Sequence, residues 1–185
     1  ERGCGGGEFL SVLKDKGIGA KGIDINNDMV LFCKKNDLDV IQIDALSYLD
    51  SLKDKSLDGV FSGQLVEHLQ PNELISLVKI CHDKMIYGTY LVLETQNPLC
   101  LSILSKGFYI DLSHIKPIHP ETLKFLLESV GFRDIHVKFF SQVPDEDRLD
   151  KLAITENMND NEKVYIDIMN KNIDKLNSLL FGYQD

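Results

Sequence analysis

The residues best suited to chemistry stand at the start of the chain, where glycine occupies the alternate positions Gly3, Gly5 and Gly7. Glycine permits positive φ angles and lets the backbone approach a ligand closely. A helical pattern over residues 8–16 follows directly, and the N-terminus of a helix presents unpaired N–H groups with a partial positive charge. This arrangement suits a nucleotide or a ligand carboxylate. An ordinary tight turn is the alternative that the glycines alone leave open.

A carboxylate closes each of the next two strand-like runs. Asp24 stands near the end of the run 21–25, about twenty residues after the glycines, and Asp44 follows the run 39–43. In dinucleotide-type folds an acid at that distance lies at the tip of the second strand and binds ribose hydroxyls. The alternative for both aspartates is that they cap the helices that follow them.

Two histidines are candidates for proton transfer or acceptor binding. His68 follows Glu67 after the predicted strand 57–62, and His114 follows Asp111 in a predicted loop. Histidine is the side chain best suited to accept a proton near neutral pH, and a nearby carboxylate would orient it. His68 could instead cap or pack, and the loop could be a lid in which His114 bonds to the backbone. One Glu-His pair supplies too few ligands to assert a divalent-cation site, so we predict no metal, and whether Glu67 and His68 bind one stays open.

Taken together, these motifs resemble the class I methyltransferases that use S-adenosylmethionine (SAM). The resemblance rests on the acid-x-Gly-x-Gly-x-Gly turn of residues 1–7, on Gly22-Ile23-Asp24, on Asp44-Ala45, and on the segments 58–69, 92–98, 108–114 and 117–123. The later segments resemble a bacterial and archaeal branch associated with O-antigen and other surface-glycan biosynthesis. The resemblance covers nearly the whole chain, and its cofactor half is the more specific.

The resemblance implies a role for each matching residue. Residues of the turn and the strand tips would bind SAM: Glu1, Gly3, Cys4, Gly5, Gly7, Asp24, Ile25, Asp44, Ala45 and Gln64. Among them, Asp24 would bind the ribose hydroxyls, Asp44 the adenine amino group and Gln64 the methionine portion. His114 and His68 would be catalytic, and Tyr109 and Asp111 would bind the acceptor substrate.

The elements that must position these residues alternate between strands and helices, which predicts an α/β fold with a largely parallel sheet. The resemblance makes it Rossmann-like and doubly wound, with the first and last strands of that fold expected to lie outside the chain. We predict a cofactor-binding core over 1–144 with an acceptor loop around 105–120. Residues 145–185 are predicted to form a polar arm and an amphipathic helix packed on the same domain. A last strand is predicted over 135–140.

Composition narrows the class of protein. The 185 residues carry a formal net charge of −9, which disfavours binding to nucleic acids. The four cysteines are scattered without a metal-binding or disulfide spacing, so a cytoplasmic location is expected. No apolar run approaches the ~20 residues of a membrane span, although peripheral membrane contact stays open. A monomer and a homodimer are both compatible with the sequence.

The sequence therefore predicts an enzyme that transfers a methyl group from SAM to a small-molecule or glycan-linked acceptor, with a hydroxyl as the accepting group. A non-catalytic SAM-binding subunit of a glycan-assembly complex is the alternative. An NAD-dependent oxidoreductase is disfavoured because the glycine spacing is Gly-x-Gly-x-Gly and because Asp44-Ala45 would have no role in it.

Overall fold

The computed structural model describes residues 3–141 and 143–182. These residues form two compact units. The first contains the described residues of Glu1–Gln96 and Ser113–Ile135, and the second those of Asn97–Leu112 and His136–Asp185. The predicted domain boundary after residue 144 stays a prediction.

Helices and strands alternate along the first unit, as the hydrophobic pattern predicts. In chain order the helices and strands are α1 (Glu8–Asp15), β1 (Gly22–Asp24), α2 (Asn27–Lys35), β2 (Val40–Gln42), α3 (Ala45–Ser51), β3 (Leu57–Gly63), α4 (Pro71–Lys84), β4 (Met85–Glu94), α5 (Leu101–Lys106), α6 (Pro120–Val130) and α7 (Asp160–Phe181). Helices α5 and α7 belong to the second unit.

The strands pair in parallel, which confirms the predicted fold class. Strand β1 pairs with β2, so that Asp24 lies opposite Gln42. Strand β3 pairs with β4, and Gly63 lies opposite Glu94. Parallel neighbours need a crossover connection, which α2 provides between β1 and β2, and α3 and α4 flank β3. Each pair of strands therefore ends at a common edge, where the polar residues that follow the strands collect.

Two apolar clusters hold the first unit together. The larger one joins α3, α4 and the start of β4, and its buried members are Leu49, Leu65, Val66, Leu74, Leu77, Val78, Cys81, Met85 and Ile118. The smaller one lies between α2 and β2 and contains Val30, Cys33, Leu38 and Val40. Because burial of each large apolar side chain contributes about 1.5–3 kcal/mol to the free energy of folding, these clusters are the main source of stability of this unit.

The predicted strand over residues 135–140 is wrong. Within the described residues this segment has no regular secondary structure and pairs with no strand. Its apolar residues alternate at a period of two, but Val137 and Phe140 are 45% and 75% exposed. An alternating pattern predicts a strand only when a neighbouring strand accepts its backbone hydrogen bonds.

The second unit contains a polar arm that runs along α7. The side-chain amide of Asn177 accepts a hydrogen bond from the N–H of Leu149 and donates one to its carbonyl, both at 2.9 Å. Asn170 makes the same pair of bonds with Leu152, at 2.8 and 2.9 Å. The two asparagines, seven positions apart, lie on one face of α7, so the arm is fastened to the helix at two points. Packing of this helix on the cofactor-binding domain stays a prediction.

Among the described residues, none of the helices is both long and apolar enough to cross a bilayer.

Candidate functional site

The glycine turn adopts a conformation that other residues would strain. Gly5 and Gly7 have φ angles of 52° and 81°, in the left-handed region that favours glycine. A Cβ atom on Gly7 would lie 2.5 Å from the side chain of Leu38, and one on Gly3 would collide with the backbone of Ile23 and Asp24. The turn therefore lies directly on β1, and Gly7 is the N-cap of α1.

Asp24 fastens this turn to the end of β1. Its carboxylate accepts hydrogen bonds from the N–H of Gly5 at 3.2 Å and from the N–H of Asn26 at 2.8 Å. Only 1% of Asp24 is exposed. Asn26, and not Asp24, caps α2. Asp24 is the residue predicted to bind the ribose of SAM. In this structure both of its carboxylate oxygens accept hydrogen bonds from the backbone of the turn and of the strand end.

Two thiols pack beneath the turn. The sulfur atoms of Cys4 and Cys33 lie 4.0 Å apart, and Cys33 donates a hydrogen bond to the carbonyl of Gly5 at 3.4 Å. Burial, followed by the neighbouring Cys33, raises the pKa of the Cys4 thiol to about 12. Burial also raises the pKa of the Cys33 thiol, so both side chains are neutral packing groups at pH 7.

Asp44 caps the helix that follows it, as the alternative interpretation holds. Its carboxylate accepts hydrogen bonds from the N–H and the hydroxyl of Ser47, at 2.9 and 3.0 Å. Asp44 remains exposed, so capping does not remove it from solvent. The tips of the two strands are held together because the N–H of Ile43 donates to the carbonyl of Asp24 at 2.9 Å.

A cleft in the first unit brings several predicted site residues together. Its lining includes Ile25, Asp44 and Ala45 from the tips of β1 and β2, together with His68. The remaining lining residues are Leu46, Leu65, Leu69, Glu73 and Leu77. Six of its nine lining residues are apolar and three are polar, and its volume is about 70 Å³, well below the roughly 300–1,000 Å³ of a complete ligand pocket. The roles assigned to these residues in cofactor binding stay predictions.

Gln64 stands at the turn after β3. Its φ of 49° is uncommon for a residue other than glycine, asparagine or aspartate. Its N–H donates to the carbonyl of Glu94 at 2.9 Å, which ties the ends of β3 and β4 together. Glu1 lies outside the described residues, so its predicted role has no structural counterpart here.

A buried polar cluster follows at the same edge of the sheet. Glu67 and His68 belong to a short 3-10 helix (Val66–His68) and are 0% and 3% exposed. The hydroxyl of Thr95 donates to Oε2 of Glu67 at 2.9 Å, and the hydroxyl of Ser113 lies 3.0 Å from Nδ1 of His68. The ring of His114 lies 4.6 Å from that of His68, centroid to centroid. The fold thus joins residues that are far apart in the sequence.

Two buried polar atoms of this cluster have no partner among the described residues. Oε1 of Glu67 and Nε2 of His68 are buried and have no hydrogen-bond partner within the described part of the chain. Ligand atoms of Glu67, His68 and His114 all lie within 4.8 Å of one another. Burial lowers the pKa of His68, against the opposing effects of the Ser113 backbone and the Glu67 charge, which favours the neutral imidazole.

Sequence reasoning selected His68 and His114 but missed their partners. Nothing in the sequence around Thr95 or Ser113 indicates that these hydroxyls bond Glu67 and His68, because the pairs are 28 and 45 residues apart.

The predicted acceptor residues Tyr109 and Asp111 belong to the second unit. Tyr109 lies in a 3-10 helix (Phe108–Ile110), is 71% exposed and packs against the ring of Phe108. Their roles stay predictions.

Comparisons with known proteins agree on the class of fold. The family model described as methionine biosynthesis protein MetW matches residues 1–89. The crystal structure of a SAM-dependent methyltransferase from Archaeoglobus fulgidus is 46% identical, with a TM-score of 0.88 over 98% of this chain and 80% of that one. A SAM-dependent methyltransferase from Thermotoga maritima is 19% identical, with a TM-score of 0.60 over 72% of this chain and 62% of that one.

The 4+2 cyclase SpnF is similar in fold, at 18% identity and a TM-score of 0.52, over 70% of this chain and 48% of that one. No curated protein sequence matches the chain.

Proposed function

The chain belongs to the class I SAM-dependent methyltransferases, and we propose that it transfers the methyl group of SAM to a hydroxyl of a small-molecule or glycan-linked acceptor. SAM is the cofactor that this family uses. The observation that supports the proposal is the cleft lined by Ile25, Asp44, Ala45 and His68, because it joins predicted cofactor residues to a residue predicted to be catalytic.

The residues at the strand tips fit the adenosine part of SAM. Ile25 offers an apolar surface for the adenine ring, and the exposed carboxylate of Asp44 can accept a hydrogen bond from the adenine amino group. Asp24 contributes by holding the turn against β1 through Gly5. SAM supplies an activated methyl group on a sulfonium, so the protein has mainly to align donor and acceptor, which can contribute ~7–11 kcal/mol.

The acceptor is proposed to bind on the side of the cleft that His68 lines. His68 lines the cleft beside Leu65 and Leu69, and ligand atoms of Glu67 and His114 lie within 4.8 Å of a ligand atom of His68. A polar group surrounded by apolar side chains orients an acceptor hydroxyl and excludes water. Glycan-linked acceptors are the first class to screen because the later sequence motifs resemble those of glycan-modifying methyltransferases.

A non-catalytic SAM-binding subunit is the second candidate. The fold alone does not establish methyl transfer, since a cyclase shares it. The two candidates differ in one measurement: both predict calorimetric binding of SAM, with NAD as the negative control, but only the enzyme incorporates labelled methyl groups into an acceptor.

The screen should contain nucleotide sugars and lipid-linked glycans, and the wild type should be compared with His114→Ala and His136→Ala. His136 is exposed and serves as the matched control. We expect turnover on at least one acceptor, lost in His114→Ala and kept in His136→Ala. Binding of SAM without turnover on any acceptor would favour the non-catalytic subunit, and binding of NAD in place of SAM would refute both.

A further inference from the structure

We propose that Glu67, His68 and His114 bind a divalent first-row transition-metal ion, such as Zn²⁺, beside the proposed cofactor cleft. The sequence-based prediction of no metal site counted two adjacent ligands. The fold supplies a third, His114, which lies 46 positions after His68 in the sequence. Binding of the ion is independent of the proposed function, whereas its role in orienting the acceptor oxygen rests on that function.

Two buried ligand atoms of this cluster lack hydrogen-bond partners among the residues that the structure describes. Oε1 of Glu67 and Nε2 of His68 make no hydrogen bond within the described residues, although their side chains are almost completely buried. A buried polar atom is normally satisfied because leaving it unpaired costs about 1–3 kcal/mol, and more when the group is charged. Two such atoms in adjacent residues therefore indicate a missing partner, and one cation would serve both.

Ligand atoms of all three side chains lie within 4.8 Å of one another. An ion with bonds of about 2.0–2.2 Å holds its ligand atoms roughly 3–4 Å apart, so side-chain shifts of about 1 Å would close the site. Glu67 and His68 approach from one short helix, and the N–H of Ile115 donates to the carbonyl of Glu67 at 2.9 Å, which keeps the segment of His114 beside them.

Thr95 occupies Oε2 of Glu67, and Ser113 occupies Nδ1 of His68. In metal sites a ligating histidine almost always uses its other ring nitrogen in a hydrogen bond, and ligating carboxylates are similarly bonded, which orients the ligand atoms. The two hydroxyl groups therefore bond one polar atom of each residue, and Oε1 of Glu67 and Nε2 of His68 remain for the proposed ion.

The ligand set identifies the class of ion. Two imidazoles and one carboxylate suit Zn²⁺ and other first-row transition ions, whereas Mg²⁺ and Ca²⁺ favour sites made of oxygen atoms. Three protein ligands leave at least one coordination position for a substrate oxygen. Because His68 also lines the cleft, an ion here could hold an acceptor hydroxyl and lower its pKa.

The test is metal binding by the full chain in the absence of SAM. After treatment with a chelator, the protein is titrated with Zn²⁺ by calorimetry and with Co²⁺ by visible absorption, which reports imidazole and carboxylate ligation directly. We expect one bound ion per chain. Glu67→Gln, His68→Ala and His114→Ala should each weaken binding by about 100-fold or more, since loss of an outer-shell partner alone costs 10–100-fold.

Two further variants protect the test against misfolding. Thr95→Val keeps the shape of the side chain but removes the hydroxyl, and we expect about 10-fold weaker binding from it. His136→Ala is the control and should bind as the wild type does. Absence of Zn²⁺ and Co²⁺ binding by the wild type would overturn the proposal, as would equal losses in His136→Ala or a preference for Mg²⁺.

The outcome also separates this inference from the proposed function. Methyl transfer by chelator-treated protein would refute a role for the ion in catalysis, and absence of bound ion would refute the site, while both leave the methyltransferase assignment intact. Bound ion in a protein that methylates no acceptor would support the site and contradict the proposed function.

Discussion

Replacement of Asp24 by asparagine tests whether this side chain acts mainly as the support of the glycine turn. The carboxylate accepts two backbone hydrogen bonds, from Gly5 and Asn26, in a site that is almost completely buried. A hydrogen bond to a charged group contributes about 1.5–3 kcal/mol, so the two together contribute roughly 3–6 kcal/mol. An asparagine keeps one accepting oxygen and directs an NH₂ group at the second N–H.

We therefore expect Asp24→Asn to lower the free energy of unfolding by about 2–4 kcal/mol. For a chain of this size, ~1 kcal/mol corresponds to a change of roughly 2–4 °C in Tm, so the expected loss is about 5–15 °C. Asp28→Asn is the matched control: Asp28 is exposed in the first turn of α2, and its replacement should cost less than about 1 kcal/mol. Urea denaturation and thermal unfolding of both variants measure the difference.

Calorimetry with SAM completes this experiment. If Asp24 acts through the turn, the affinity for SAM and the stability should fall together in Asp24→Asn, and both should be preserved in Asp28→Asn. A variant as stable as Asp28→Asn that no longer binds SAM would refute this reasoning. It would show that Asp24 contacts the ribose directly and that its two backbone hydrogen bonds are dispensable.

Three further changes test other parts of the structure. Gly7→Ala should lower the free energy of unfolding, measured by urea denaturation, by about 2–4 kcal/mol because of the positive φ and the contact with Leu38. Gly19→Ala, where no described atom lies within 4 Å, should cost less than about 1 kcal/mol, and equal losses would contradict this prediction. Burial raises the pKa of Cys81 to about 12 from 9.0, so its native thiol should react with iodoacetamide at pH 8 roughly 1000-fold more slowly than an unperturbed thiol. The free energy of unfolding should also fall as the pH rises above 9, because the unfolded thiol then loses its proton and the folded one does not. Rapid labelling of the native protein, seen by mass spectrometry, would contradict this prediction. Asn177→Ala should speed proteolysis of the polar arm, and the exposed Asn172→Ala should not; equal cleavage rates would refute fastening by this amide.

Local patterns in the sequence predicted the cofactor side of the fold. The glycine turn, the parallel strands and the helix after each strand depend on φ preferences, hydrophobic periodicity and capping, all of which operate over a few residues. The capping role of Asp44 was an alternative for the same reason, because a cap involves only Ser47, three positions later. Local rules predict such features wherever the neighbours in sequence are also the neighbours in space.

Contacts between distant segments could not be predicted in this way. The strand over 135–140 was wrong because its alternating pattern says nothing about whether a pairing partner exists. The sequence predicted a polar arm but not its attachment by Asn170 and Asn177, since asparagine amides that bond a backbone 18 and 28 residues away leave no periodic signal. For the same reason the hydroxyl of Ser113 was not connected with His68.

Three departures from ordinary structural rules lie within the five residues from Gln64 to His68. Gln64 has a positive φ, and both Glu67 and His68 bury a polar atom that has no partner in the described structure. Each departure costs on the order of 1–3 kcal/mol, and folding would favour an apolar replacement at the buried positions. Backbone strain and unpaired buried polar atoms are characteristic of binding and catalytic sites, where residues are held for function at a cost in stability. That segment follows β3 at the edge where the proposed cofactor cleft lies, which is the reason to place the acceptor chemistry there.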